Sequence, residues 1–498
     1  MIACTLTACL DGVRARRVEV EADIGGGLPS FSIVGLTDRA VQEARERVRA
    51  ALRNSGFTFP SHRLTVNLAP AEMRKEGTAF DVAIALAILG SAGQPGLDQR
   101  GAAFIGELGL DGSLRPVRGA LALTTELAGV GAERLYVPAS NAAEAAGCGA
   151  PVHGVGSLEE LVAHLRGEAA IPAVGPPHRR VVPAGDDVDL SEIHGQTVPK
   201  RALEVAAAGG HHVLFMGPPG AGKTMLARAL RGLLPDLEAG AAREVTSMHS
   251  VAGLLDGVGW LTRPPLRTPH HSISIAGLIG GGSAFSPGEL SLAHRGVLVL
   301  DELPEFRRDC LEALREPLEE GHLRLSRKGG TRLLPASFIL VATANPCPCG
   351  RSAETANGDD ECVCPPDMVA RYQRRISGPL RDRIDLVVQV RSVRIERLGG
   401  GAGETSIKAR ERVVRARQVQ RLRQGSGHLN AQLDAAGLKR VCPMEPAAAA
   451  EVTNIANRYR LSGRGFHGAL RVARSIADLD GTIAISLDQL LEACEYRR

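Results

Sequence analysis

Aromatic residues are scarce. Phe, Trp and Tyr make up 3% of the 498 residues, with a single Trp. A surface that grips single strands by stacking bases on rings is therefore not expected to dominate. A large excess of one charge is also missing. Lys and Arg total 59 against 55 Asp and Glu, for a formal net charge of +4, so any nucleic-acid binding must come from local patches. No run is apolar for long: the longest, near Phe80–Gly90, falls well short of the ~20 residues of a membrane span. The first residues, MIACTLTACLDGVRAR, predict no secretory signal. A cytoplasmic protein without a membrane partner is expected. The ten cysteines are dispersed except for four, which suits reduced thiols plus one metal site better than a disulfide scaffold.

What is present is ordinary globular usage, 44% apolar and 23% charged, which excludes intrinsic disorder for the bulk of the chain. At roughly 100–200 residues per domain, the length predicts two to four domains. Punctuation divides it. Residues 1–172 alternate β-like runs (Arg17–Val20, Phe31–Val34, Arg63–Leu68, Leu135–Val137) with helical stretches. Asp38–Ser55 reads as an amphipathic helix and Asp81–Leu89 as a buried one. A Pro- and Gly-rich linker follows at 173–187. Residues 188–395 hold nearly all the chemistry, 396–407 form a Gly-rich break, and 408–498 read as a small all-helical domain. Arg391–Gly427 carries ten Lys and Arg against three Asp and Glu, with one long basic helix at Ser406–Gln424. That helix either binds phosphates or is a solvated face over the rest of the domain.

The chemistry begins at a short β-rich run, His212–Met216. It leads into Gly217, Pro218, Pro219, Gly220, Ala221, Gly222, Lys223 and Thr224, and then into a helical stretch. This is G-x-x-x-x-G-K-[ST] in its strand–loop–helix setting. Glycines let successive backbone N–H groups turn inward onto phosphate oxygens. The helix N-terminus adds partial positive charge. Lys223 is expected to reach the outer phosphates of ATP and the Thr224 hydroxyl to ligate Mg²⁺. Downstream, the apolar strand Gly296-Val-Leu-Val-Leu ends in Asp301 and Glu302. Asp301 is placed to hold Mg²⁺ and Glu302 to act as general base on water. A third strand from Phe338 ends at Asn345, which orients that water, touches the γ-phosphate or caps a turn.

Cys347, Cys349, Cys362 and Cys364 flank a polar loop. Four thiolates on two tight turns can close a tetrahedral, structural Zn²⁺ site, although Cys-x-Cys is a less usual spacing than Cys-x-x-Cys. Metal-free loop cysteines and a redox-labile pair are the alternatives. Leu323–Leu334 reads as a β-hairpin around a Gly-Gly turn, with Arg327, Lys328 and Arg332 near its tip. It is either a DNA phosphate contact or a solvated basic hairpin.

The order of these features resembles AAA+ ATPases, and specifically the YifB/ComM group of magnesium-chelatase-like ATPases. The resembling strings are Arg267-Thr-Pro-His270-His271-Ser, Gly280-Gly-Gly, Pro287-Gly-Glu289-Leu-Ser-Leu-Ala-His294, Asp301-Glu-Leu-Pro-Glu-Phe306, Asn345-Pro-Cys-Pro-Cys-Gly350 and Ser377-Gly-Pro-Leu-Arg-Asp-Arg383-Ile-Asp385. The likeness implies an α/β chain: a Lon-protease-like N-terminal domain, a P-loop AAA+ parallel-sheet core and a helical lid. It implies that Arg383 is an arginine finger reaching a neighbouring subunit's ATP, and that Arg471 is the lid arginine, with Arg474 as competitor. A finger acting in trans requires a homo-oligomer, by resemblance a hexamer. The hairpin and the segment Arg267–Gly282 would face its pore. The activity implied is a helicase or branch-migration motor on single-stranded or branched DNA, in recombination or natural transformation.

The N-terminal strings Arg74-Lys-Glu-Gly-Thr-Ala79-Phe-Asp and Gly106-Glu-Leu-Gly-Leu-Asp-Gly-Ser-Leu-Arg-Pro-Val resemble the proteolytic domain of Lon. There the nucleophilic Ser position is occupied by Ala79, and the dyad Lys position falls near Leu121. Neither side chain can do nucleophilic chemistry, so no peptidase activity is expected. The remaining alternative is a chelatase-type motor that drives Mg²⁺ insertion into a porphyrin with partner subunits.

Overall fold

A computed structural model of the chain describes residues 2–175, 187–255, 259–282, 285–327, 330–351, 362–393, 403–425 and 427–497. Most of the expected linkers, Lys328 and the polar loop between the cysteine pairs lie outside the described residues.

The N-terminal region is built on a seven-stranded mixed sheet. Its spatial order is Ser30–Val34, Arg63–Ala69, Arg14–Gly25, Ile2–Asp11, Ala102–Phe104, Arg134–Pro138 and Val152–Val155. The first two strands of the chain form a long antiparallel ribbon. Beyond them the sheet is parallel, through Ala102–Phe104, Arg134–Pro138 and Val152–Val155. The helix Arg39–Asn54 is capped by Asp38, which accepts from Val41 N at 2.9 Å. It turns Val41, Ala44, Val48, Ala51 and Leu52 inward. Asp81–Ser91 is buried except at Gly90, as its nearly all-apolar sequence requires.

The second sheet is five-stranded and wholly parallel, in the order Leu266–Arg267, Val297–Leu300, Ile339–Ala344, Val213–Met216, Leu386–Gln389. Its strands read as continuous apolar runs because both faces are covered. Alternation divides them. Val297, Val299, Val213, Phe215, Val341, Leu386 and Val388 join one core cluster, and Leu298, Leu300, Leu214, Leu340, Ala342 and Val387 join the other. Each fully buried Val, Leu or Phe of this kind contributes about 1.5–3 kcal/mol.

The C-terminal helices Ser406–Gln424, Ala435–Val441, Pro446–Arg458, Gly463–Asp480 and Leu487–Glu495 do not form a separate core. Ala409, Val413, Ala416, Val472 and Ile476 belong to the same cluster as Val213 and Phe215. The basic helix is accordingly not a merely solvated face, because most of its arginines are bonded within the chain. Arg410 pairs with Asp236 at 2.7 Å, Arg421 with Glu238 at 2.6 Å and Arg423 with Asp478 at 2.7 Å. Arg412 pairs with both Glu204 and Glu404, and the Arg417 guanidinium donates to Ala207 O at 2.8 Å. The compensating acids come from distant segments, so a local charge count overstated the free charge.

The N-terminal region contacts the region of the second sheet at described residues. Helix Ala120–Gly129 packs on helix Ala239–Val251. Gly119 N donates to Ser250 O at 3.1 Å, and Trp260 Nε1 to Glu144 O at 3.1 Å. Among the described residues, no helix is long and apolar enough to cross a membrane.

Candidate nucleotide site

The loop after Val213–Met216 runs from Gly217 to Gly222, and the helix Lys223–Leu233 begins directly on it. Gly220 and Gly222 take φ of 75° and 88°, a left-handed conformation that strains any residue with a Cβ. A Cβ at either would meet nothing within 4 Å, so conformation, not crowding, selects glycine here. Lys223 is the first helical residue and is buried. Its Nζ donates to Gly217 O at 2.7 Å, Pro218 O at 2.8 Å and Asn345 Oδ1 at 3.0 Å. Burial lowers its pKa from the usual lysine value, against the raising pull of Asp301 and Glu302. Asn345 therefore joins the loop lysine, which a turn cap would not do.

Asp301 stands at the end of Val297–Leu300. Its Oδ2 accepts from the Thr224 hydroxyl at 3.0 Å, and its Oδ1 from the Thr343 hydroxyl at 2.5 Å. Thr343 Oγ1 also accepts from Glu302 N at 2.9 Å. Glu302 holds φ 54°, which costs a non-glycine residue about 1–2 kcal/mol. Its side chain is exposed. Such strain persists only where surrounding bonds fix it, and the Thr343 contact is one such bond. Thr343 was not singled out from sequence. Its signal was a hydroxyl inside an apolar strand, two residues before Asn345. Gln196 was also missed: its side-chain amide ties Ala221 O at 3.2 Å to Arg391 O at 2.7 Å.

The donor set fits Mg²⁺ and a polyphosphate. A carboxylate and a hydroxyl are hard oxygen ligands at hydrogen-bonding distance, beside an ammonium and a helix start.

Arg383 is mostly shielded and pairs with Glu319 of its own chain, with a second bond to Pro379 O at 2.8 Å. Arg471 is half-buried and donates to Leu433 O at 2.7 Å. Arg474 is 1% exposed and is used up by Asp478, Thr482 O and Ile483 O. Of the two lid candidates, only Arg471 retains accessible surface.

The four cysteine sulfurs lie within 4.8 Å of one another. Cys347 Sγ is 3.3 Å from that of Cys349 and 3.7 Å from that of Cys362, and Cys349 is 3.6 Å from Cys362. Tetrahedral Zn–S bonds of ~2.3 Å space sulfurs about 3.8 Å apart, whereas a disulfide needs ~2.05 Å. The Arg351 backbone N–H pulls the Cys349 thiol down to about 6, while burial pushes Cys347 up to about 12. The knot abuts the phosphate loop, since a Cβ at Gly350 would strike the Pro219 ring.

The hairpin is formed by His322–Arg327 and Gly330–Pro335. Lys328 lies outside the described residues, as does the Arg327 side chain. Arg332 is not displayed at the tip. It pairs with Asp11 of the N-terminal ribbon at 2.6 Å and lies over the Phe285 ring at 5.4 Å. Strand pairing sets it opposite Leu325, beyond the turn, where the N-terminal region meets it. The pore-insert candidate Arg267 is likewise engaged, by Glu289 at 2.6 Å. In the N-terminal region, Leu121 is fully buried and Ala79 partly so within one apolar cluster. The two positions that the Lon resemblance pointed to thus carry apolar side chains of one cluster.

Three family models match in succession: Subunit ChlI of Mg-chelatase over residues 20–141, Magnesium chelatase, subunit ChlI over 189–398, and Magnesium chelatase, subunit ChlI C-terminal over 403–497. An uncharacterized protein of Mycobacterium tuberculosis is 42% identical over 497 residues, covering 98% of this chain and 97% of that protein. The competence protein ComM of Haemophilus influenzae is 41% identical over 98% of this chain and 95% of its own length. The YifB protein of Escherichia coli is 40% identical, with the same coverage. With a parallel-sheet core, helical C-terminal region and full-length likeness in agreement, the chain belongs to the YifB/ComM family of magnesium-chelatase-like AAA+ ATPases.

Proposed function

We propose that the protein is an ATP-hydrolysing motor acting on DNA, a hexameric helicase or branch-migration factor of recombination or natural transformation. The observation that carries the ATPase part is the bonded set Lys223–Asn345 and Thr224–Asp301–Thr343 at the C-terminal ends of three parallel strands, where ligands bind in such sheets. Bound ATP and Mg²⁺ would supply the scissile phosphoryl bond and its charge neutralisation. Lys223 and the loop amides grip phosphate oxygens, and Thr224 and Asp301 present hard oxygens to the metal. Glu302 takes a proton from the attacking water, Asn345 orients that water, and Arg471 answers from the lid. Arg383 exchanges Glu319 for a neighbour's phosphate, and its fixed charge suits the developing transition state.

The DNA part is supported by the hairpin and by the likeness to a protein named for competence. Within the hairpin, Arg327 and Lys328 are the proposed phosphate contacts, and the paired Arg332 serves as an anchor. The Cys₄ knot is proposed to hold structural Zn²⁺ and brace the phosphate loop. The family descriptions favour one second reading, a chelatase-type motor working with partner subunits.

ATPase assayed with and without four-way DNA tests this directly. Stimulation by branched DNA is expected. Turnover indifferent to DNA, with no salt-sensitive binding, would favour the chelatase reading.

A further inference from the structure

A buried polar chain leads from the Arg383 segment to the lid helix Gly463–Asp480. Asp385 lies two residues beyond Arg383, and its Oδ2 is 2.9 Å from His211 Nδ1. Arg497 donates to its Oδ1 at 2.8 Å. Burial pushes the Asp385 carboxyl up, but His211 and Arg497 outweigh it and hold it at about 2. Asp385 is therefore a carboxylate that only accepts, so His211 Nδ1 carries the proton. On the other side of the ring, Nε2 lies 2.8 Å from Ser475 Oγ. Ser475 in turn donates to Arg471 O at 3.0 Å and accepts from Asn430 Nδ2 at 3.1 Å.

Two glycines are shaped around this chain. A Cβ at Gly209 would strike the His211 ring and the Ser475 hydroxyl, and one at Gly468 would strike Arg497. A second tie runs in parallel, because Glu319 pairs with both Arg383 and Arg464, the latter at 2.9 Å near the start of the same lid helix. The side chains follow the order of a Ser–His–Asp triad, although the Ser475 hydroxyl donates to Arg471 O. However, His211 and Ser475 are both 0% exposed, so no substrate reaches the hydroxyl and a nucleophilic role is excluded.

We propose that His211 and Ser475 are positioning residues that fasten the Arg383 segment to the helix bearing Arg471. The lid's response to a subunit's own nucleotide would thereby set the finger offered to its neighbour. This rests on the roles given above to Arg383 and Arg471. The coupling is carried by discrete bonded contacts, and a rigid tie between two sensing arginines is what the geometry supplies.

The test is a double-mutant cycle on the full chain, with thermal midpoint, ATP affinity and kcat measured for each variant. Ser475→Ala deletes only the hydroxyl joint. His211→Gln keeps the reach to Ser475 and gives up the bond to Asp385. Each is expected to bind ATP within about twofold of wild type and to lose about tenfold in kcat, and neither is expected to slow Arg383→Ala any further. A merely structural role would move the thermal midpoint and multiply the losses. Wild-type kcat in Ser475→Ala, or multiplicative loss in the double variant, overturns the proposal. Should His211→Gln fail to fold, Ser475→Ala decides alone. Retained turnover in Lys223→Ala would instead overturn the nucleotide-site reading, so the two failures are distinguishable.

Discussion

The N-terminal sheet and the ATPase sheet are both covered by apolar helices, yet they differ at their strand ends. Lys223, Asp301, Thr343 and Asn345 interlock at the ends of three ATPase strands. The N-terminal region instead holds Ala79 and Leu121 in one apolar cluster. A sheet of this kind supplies position, and only polar side chains aimed from it supply reaction. The two regions also treat a buried carboxylate differently. Asp81 is pushed up to about 6 by burial despite Arg47 at 2.7 Å, whereas Asp385, with both His211 and Arg497, is held at about 2. Hydrogen bonds from two partner side chains outweigh burial where those of one do not.

The comparison breaks most visibly at Lys223. Lys223→Ala should lower ATP turnover by about 10²–10³-fold or more, and phosphate-release kinetics would show it. Glu302→Gln should cost about 10²-fold in kcat while ATP affinity, read with a fluorescent analogue, stays within about twofold. Thr343→Val should cost about tenfold in kcat, because it removes the hydroxyl that donates to Asp301 and accepts from Glu302 N, and an unsatisfied partner costs about 1–3 kcal/mol. By contrast Ala79→Ser, which restores a hydroxyl without its lysine, should give no casein degradation with ATP. Metal analysis should find about one Zn per chain, and chelation should loosen ATP binding through the Gly350–Pro219 contact.

The smallest effect sharpens the carboxylate contrast. Asp81 has a folded pKa above the ordinary 3.8, so its contribution to stability is present below that value and is lost as pH rises through about 6. Asp385 is depressed, so its contribution is present above 3.8 and is lost as pH falls toward about 2. Amide exchange should therefore show the helix Asp81–Ser91 loosening toward the upper limit and the strand Leu386–Gln389 toward the lower one.

What was legible in the sequence was what lies close together along it. Gly217–Thr224 spans one turn, and Asp301–Glu302 ends an apolar run, so motif and period sufficed for the phosphate loop, several strands and the most strongly patterned helices, while the strand Ile2–Asp11 and the helices Thr197–Gly209 and Ala239–Val251 were not picked out. Partners far apart escaped. His211 meets Asp385 across 174 positions and Ser475 across 264, and no local pattern marks either. The arginines of Ser406–Gln424 looked free because Asp236, Glu238 and Asp478 lie on other elements. Arg332 looked like a tip residue because the Asp11 that holds it belongs to the first strand of the chain.

The central claim is that each nucleotide is gripped by one subunit and triggered by the next. Lys223→Ala and Arg383→Ala subunits can be mixed and recovered through a tag on one of them, so that only co-assembled protein is assayed. The account predicts that Lys223→Ala is inactive alone, that Arg383→Ala alone keeps only a low residual turnover, and that the mixture regains ATPase activity, because Lys223→Ala subunits lend their fingers to intact sites in Arg383→Ala subunits. Co-assembled protein that stays as inactive as its parents would contradict it.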